Sequence, residues 1–139
     1  MNKRDFLKAG VLALALGGAA FALAPAGATT SGPIVGSAAP AFSGKDSNGN
    51  DISLADFKGK TVVLEWTNHQ CPFVRKHYAS GNMQGLQKDA VSDGVVWLSI
   101  ASSPPGYQGH VDGPQANQVL ADTKATPTAV VLDHDSAIA

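Results

Sequence analysis

Thr61 to Trp66 is a nearly unbroken run of β-forming residues that leads, through Thr67-Asn68-His69-Gln70, into Cys71-Pro72. Such a run fits a central strand buried on both faces of a parallel sheet. Proline is favoured just inside a helix start, where its missing N–H costs nothing. A strand that feeds a helix in this way opens a right-handed βαβ unit, which restricts the chain to α/β architectures.

The rest of the sequence continues the alternation. Helical spacing of Ala79, Met83, Leu86 and Ala90 predicts a helix from Pro72 to about Asp93, kinked or split at Ser80-Gly81-Asn82. Val95 to Ile100 is a second buried strand, and Ser102 to Gly113 a loop. Asp112 or Gly113 is placed to cap a helix from Pro114 through Leu120, and Thr128 to Leu132 is a third strand that Pro127 opens. Upstream, Asp46-Ser47-Asn48-Gly49-Asn50 marks a turn between short extended pieces. Ser53 with Asp56 forms a weak capping box before Phe57. Asp135-Ser136 has the look of a helix cap, but Ala137-Ile138-Ala139 supplies less than one turn. A helix that short is not stable. The expectation is a domain truncated at its C-terminus.

Residues 1–28 read as an export signal. Lys3 and Arg4 form a basic start, Ala9 to Ala24 a weakly apolar run, and Ala26-Gly27-Ala28 a small-x-small cleavage pattern before Thr29. Asn2 to Lys8 is close to the twin-arginine pattern, with Lys3 in place of the first arginine. The expected home is the bacterial periplasm or another exported location, without stable membrane insertion once the signal is cleaved. Residues 29–35 form a leader and 36–139 the domain. Without residues 1–28 the chain holds seven basic and ten acidic residues, a net charge of −3. No basic stripe remains, which argues against nucleic acid as a partner.

Cys71 is the only cysteine, which excludes a disulfide within the chain. The free N–H groups and the dipole at a helix start favour an anion, which suits a nucleophilic or redox thiolate. The alternative is a small buried cysteine that packs a core helix. Glu65 is the only glutamate and interrupts an apolar strand. Strand alternation puts it on one face with Thr61 and Val63, opposite Val62, Leu64 and Trp66. It is either a buried proton acceptor or a strand-end carboxylate that reaches solvent or pairs with Lys60 or Arg75. Arg75, His77 and His69 lie near enough in sequence to influence the thiol, although exposure is the commoner fate of Arg75 and Lys76. His110 and His134 have no partner at metal-ligand spacing and read as solvated. No cofactor or metal is expected.

Val35 to Phe42, Asp46 and Gly49, Ser53 to Lys60 and the strand Val62-Val63-Leu64 together resemble the opening of redoxin domains. These belong to the alkyl hydroperoxide reductase/thiol-specific antioxidant superfamily. Asn68, His69 and Cys71-Pro72-Phe73-Val74-Arg75 resemble its peroxiredoxin-like branch, with Gln70 inserted before the cysteine. The resemblance implies a thioredoxin-like three-layer α/β/α domain with an N-terminal hairpin extension. It also implies that Cys71 is the attacking cysteine. Val74 stands where dithiol relatives carry their second cysteine. Asn68 replaces the threonine that orients thiolate and peroxide in typical members. Glu65, six residues before Cys71, matches the buried acid of thioredoxins. The later strand pair of the family, with its cis-proline, has no counterpart here.

Three functions compete at this stage. The first is a one-cysteine peroxidase that acts through Cys71, Glu65, Asn68 and Arg75, with a peroxide substrate and an external thiol reductant. The second is a thioredoxin-fold binding protein such as a copper chaperone, although Lys76 stands where the second soft ligand belongs. The third is an inactive fragment.

Overall fold

The computed structural model describes residues 33–139. The expected export signal, 1–28, and the first part of the leader lie outside the described residues. Ile34 and Val35, within the leader, are exposed.

Five strands form one sheet in the order β2-β1-β5-β4-β3. They are β1 (Ser43–Asp46), β2 (Asp51–Ser53), β3 (Val62–Trp66), β4 (Val96–Ala101) and β5 (Ala129–Leu132). Strands β3, β4 and β5 are parallel, in the registers Leu64↔Leu98 and Ile100↔Val131. The hairpin β1–β2 joins antiparallel at the β5 edge, Lys45 facing Leu132. Asp46 holds the hairpin turn by accepting from the backbone N–H groups of Asn48 and Asn50. The strand expected to be central is therefore the wrong one. Val62–Trp66 is a half-buried edge strand, and the fully buried strand is β4. The two apolar runs look alike in sequence, and strand order decides which is covered on both sides.

The expected helix splits where Ser80-Gly81 interrupts it, into α1 (Pro72–Ala79) and α2 (Asn82–Ser92). Gly81 has φ +76°, a left-handed conformation that costs glycine little and ends α1. Helix α3 (Gly113–Thr123) starts at Asp112, whose side chain accepts from Gln115 N while Gln115 returns a bond to Asp112 N. Ser53 and Asp56 make the same reciprocal box at a short 3-10 turn, Leu54–Phe57. No helix starts at Asp135-Ser136. Buried Asp133 accepts from the backbone N–H groups of Ile138 and Ala139 and folds the segment back as a turn.

Both crossovers, β3 to β4 and β4 to β5, step the same way across the sheet. Right-handed connections then put α1, α2 and α3 on one face. On that face Ala101, Val111, Ala116 and Val130 are buried, with Val119 and Leu120 packed on them. The opposite face carries Ile52, Val96, Leu98, Ile100 and Val131, covered by Phe42, by Phe57 of the 3-10 turn and by Ile138. This is a thioredoxin-like α/β fold.

Candidate functional site

Cys71 occupies the N-cap position of α1, with extended backbone and Pro72 as the first helical residue. Its backbone N–H donates to Asn68 O at 2.9 Å, and its carbonyl accepts from Arg75 N at 2.9 Å, the first turn of the helix. The side chain is half-buried and free. It lies on an open groove whose other walls include Trp66, Val74, Pro104, Tyr107 and Gln108. Trp66 and Tyr107 are exposed, as is Phe73 next along the helix, so the thiol has an apolar, aromatic rim.

Two loops build this groove and are laced together by side chains. Asn68 Nδ2 donates to Gln108 O at 3.1 Å, and Gly109 N donates to Gln70 Oε1 at 3.2 Å. Asn68 Oδ1 also accepts from Gln70 N at 2.9 Å. Asn68 thus spends its amide on the loop. Gln70, the residue inserted before the cysteine, is the second tie. Gly109 has φ +84° and is packed so closely on the Asn68 amide that a Cβ there would overlap it.

Glu65 lies behind the helix, wrapped in donors from three elements. Tyr78 Oη of α1 reaches Oε1 at 2.9 Å. Gln87 Nε2 of α2, Trp97 Nε1 and Ser99 Oγ of β4 reach Oε2 at 3.2, 2.8 and 3.1 Å. The half-buried carboxylate therefore pairs with neither Lys60 nor Arg75. Neutral donors hold it. Gln87 is fully buried and passes the network on, its Oε1 accepting from Thr126 N at 2.9 Å. Sequence reasoning singled out Glu65 but none of these donors. The one local signal was polar Ser99 between Leu98 and Ile100.

Burial, and next the charge of Glu65, raise the pKa of Tyr78 above its ordinary 10.0. The folded state thus holds the phenol proton more tightly than the unfolded state does. The stability this contributes is complete below pH 10.0 and is lost as pH rises beyond it. Urea unfolding followed from pH 8 to pH 11 should show a steeper alkaline decline in the wild type than in Tyr78→Phe. Parallel declines would show that Tyr78 ionises equally in both states.

Arg75 is exposed, and Arg75 and His69 border a cavity under α1. His77 is exposed on α1. His110 and His134 are not solvated as expected. Both are half-buried, their ring centroids 4.5 Å apart, and each bonds a backbone carbonyl, Ser103 O and Val111 O respectively. Cys71, Asn68 and Arg75 thus share one end of the sheet, with Glu65 behind them.

The family model of the AhpC/TSA family matches residues 35–139. An uncharacterised conserved protein from Geobacillus kaustophilus superposes with a TM-score of 0.65 at 22% identity, covering 78% of this chain and 57% of that one. The thioredoxin domain of a thiol-disulfide oxidoreductase from Bacteroides vulgatus gives 0.52 at 26% identity, over 74% and 66%. A secreted disulfide oxidoreductase of Mycobacterium tuberculosis, homologous to E. coli DsbE, gives 0.52 at 20%, over 70% and 63%. The chain spans about half to two thirds of the length of these structures. No curated protein matches it. With 105 of its 139 residues inside the matched region and a thioredoxin-like sheet around Cys71, the chain belongs to the AhpC/TSA family.

Proposed function

We propose that the protein is a thiol-based oxidoreductase in which Cys71 reduces a peroxide. The observation that carries this reading is a half-buried thiol at the start of α1, on the floor of an open groove. The Cys71 sulfur attacks one peroxide oxygen and the O–O bond breaks. The departing oxygen takes a proton and leaves as water or an alcohol, and the thiol becomes a sulfenic acid. An external thiol then condenses with the sulfenic acid, releasing water and forming a mixed disulfide. A second external thiol resolves that disulfide and restores Cys71. Val74 occupies the position of a second active-site cysteine, so exchange through an internal dithiol is ruled out for this chain. Arg75, one turn beyond Cys71, adds positive charge to the helix that carries the thiol, from the side of the cavity under α1. Asn68 shapes the loop that presents the thiol, and Glu65 fixes the helix that carries it. Residues 1–28 direct the chain out of the cytoplasm, where the reductant is a thiol of the exported compartment.

Exposure of the reduced protein to hydrogen peroxide should add one oxygen to Cys71, trapped by a sulfenate-selective reagent and read by mass spectrometry. Cys71→Ser should show no addition. The rate should exceed that of a small-molecule thiol at the same thiolate fraction. Equality of the two rates would remove the peroxidase reading and leave a thioredoxin-fold binding protein with a structural cysteine.

A further inference from the structure

Between the sheet and helices α1 and α3 lies a cavity of about 80 Å³. Its body is aliphatic: Val74 from α1, Ala101 and Val130 from the strands, and Ala116, Val119 and Leu120 from α3. Thr67, His69 and Arg75 give it a polar side. Thr67 and Val74 also wall the groove over Cys71, so cavity and groove adjoin. Among the described residues the only salt bridge is Lys45–Asp51, which leaves the Arg75 guanidinium without an acidic partner. No carboxylate among the described residues lines the cavity; Glu65 is engaged by its four donors, and Tyr78, which borders the cavity, points its hydroxyl at Glu65.

We infer that this cavity binds a short-chain aliphatic carboxylate, its tail among the aliphatic side chains and its carboxylate on Arg75. A mostly aliphatic space of this size takes an apolar guest. A guanidinium presents two parallel N–H donors that match a carboxylate. The volume suits a chain of a few carbons. A single guanidinium at the polar side suits a singly charged planar head better than a doubly charged one.

The test uses the Cys71→Ser protein, so that no redox chemistry enters, with acetate, propanoate, butanoate, pentanoate and pentanol as probes in two-dimensional amide and methyl NMR titrations. Pentanoate should shift the signals of Val119, Leu120 and Val130. Affinity should rise about fourfold per methylene from acetate until the cavity is full. Pentanol should bind at least about tenfold more weakly, the loss expected for one charge-assisted hydrogen bond. Arg75→Gln should weaken pentanoate by the same factor and leave pentanol unchanged. Ala116→Leu should abolish the chain-length dependence, and the acid series with Ala116 in place decides the matter should that variant not fold. Equal affinity for acetate and pentanoate, shifts confined to the surface around Arg75, or pentanol binding as well as pentanoate would each overturn the assignment. None of these outcomes bears on peroxide reduction by Cys71, which the sulfenate experiment reads separately.

Discussion

Glu65→Ala should cost the domain about 3 kcal/mol or more, while Glu65→Gln should leave it folded. The alanine variant removes the acceptor of four side-chain hydrogen bonds at once. Each buried donor left without an acceptor costs about 1–3 kcal/mol. Gln87 is fully buried, its other end holds Thr126, and Tyr78 Oη at 3.0 Å is the one acceptor left to its Nε2. The glutamine variant keeps an oxygen at the Oε2 position, where three of the donors converge. It places an amide where Tyr78 now donates, and the phenol rotates to accept. Urea denaturation of both variants checks the contrast. A similar, small loss in both would mean that water or rearrangement satisfies the donors. Because Glu65→Gln should stay folded, its Cys71 oxidation rate across pH also tests Glu65 as a proton acceptor. An unchanged profile would leave it the role of holding α1 and α2 to β4.

Gly109→Ala should lower stability by roughly 2–4 kcal/mol and open the groove over the thiol. The left-handed backbone at φ +84° costs an L-residue about 1–2 kcal/mol. The new methyl also meets the Asn68 amide and expels it from its bonds to Gln108 O and Gln70 N. Each such bond is worth about 1 kcal/mol. Gly106→Ala is the control, since Gly106 has the same φ but open space around it. Only the conformational term should appear there. Chemical denaturation compares the two, and the iodoacetamide rate at Cys71 should rise in Gly109→Ala alone. If both variants behave alike, the packing of Gly109 on Asn68 does not hold the loops together.

The elements that were legible in the sequence are those specified by neighbours. Pro72 after Cys71, the break at Ser80-Gly81, the cap at Asp112 and the Asp46–Asn50 turn act over four residues or fewer, and each stands where expected. Strand order was not legible. The apolar runs of β3 and β4 are nearly equivalent until the topology puts one at the edge. The site followed the same rule. Cys71 and Glu65 announce themselves, the one by its uniqueness and the other by interrupting a strand. The bonds that hold Glu65 come from Tyr78, Gln87, Trp97 and Ser99, between 13 and 34 residues away. His110 and His134, 24 positions apart, meet only because β5 returns beside β4. Asn68 stood out for replacing a threonine. Its work of tying the thiol loop to Gln108 depends on a loop that nothing in the local sequence connects with it.

The tie between the two loops has a consequence for the order of assembly. Asn68 and Gln70 reach Gln108 and Gly109 only once Trp66 stands opposite Ile100, the last rung of the β3–β4 ladder. Closing contacts of that sequence separation is slow compared with forming a helix turn. Helix α1 can therefore offer Cys71 a helix start before Tyr107 and Gln108 shelter it. During folding the chain thus passes through a stage in which its single thiol is accessible and unguarded. For this protein, the moment of greatest exposure to unwanted oxidation precedes the native state.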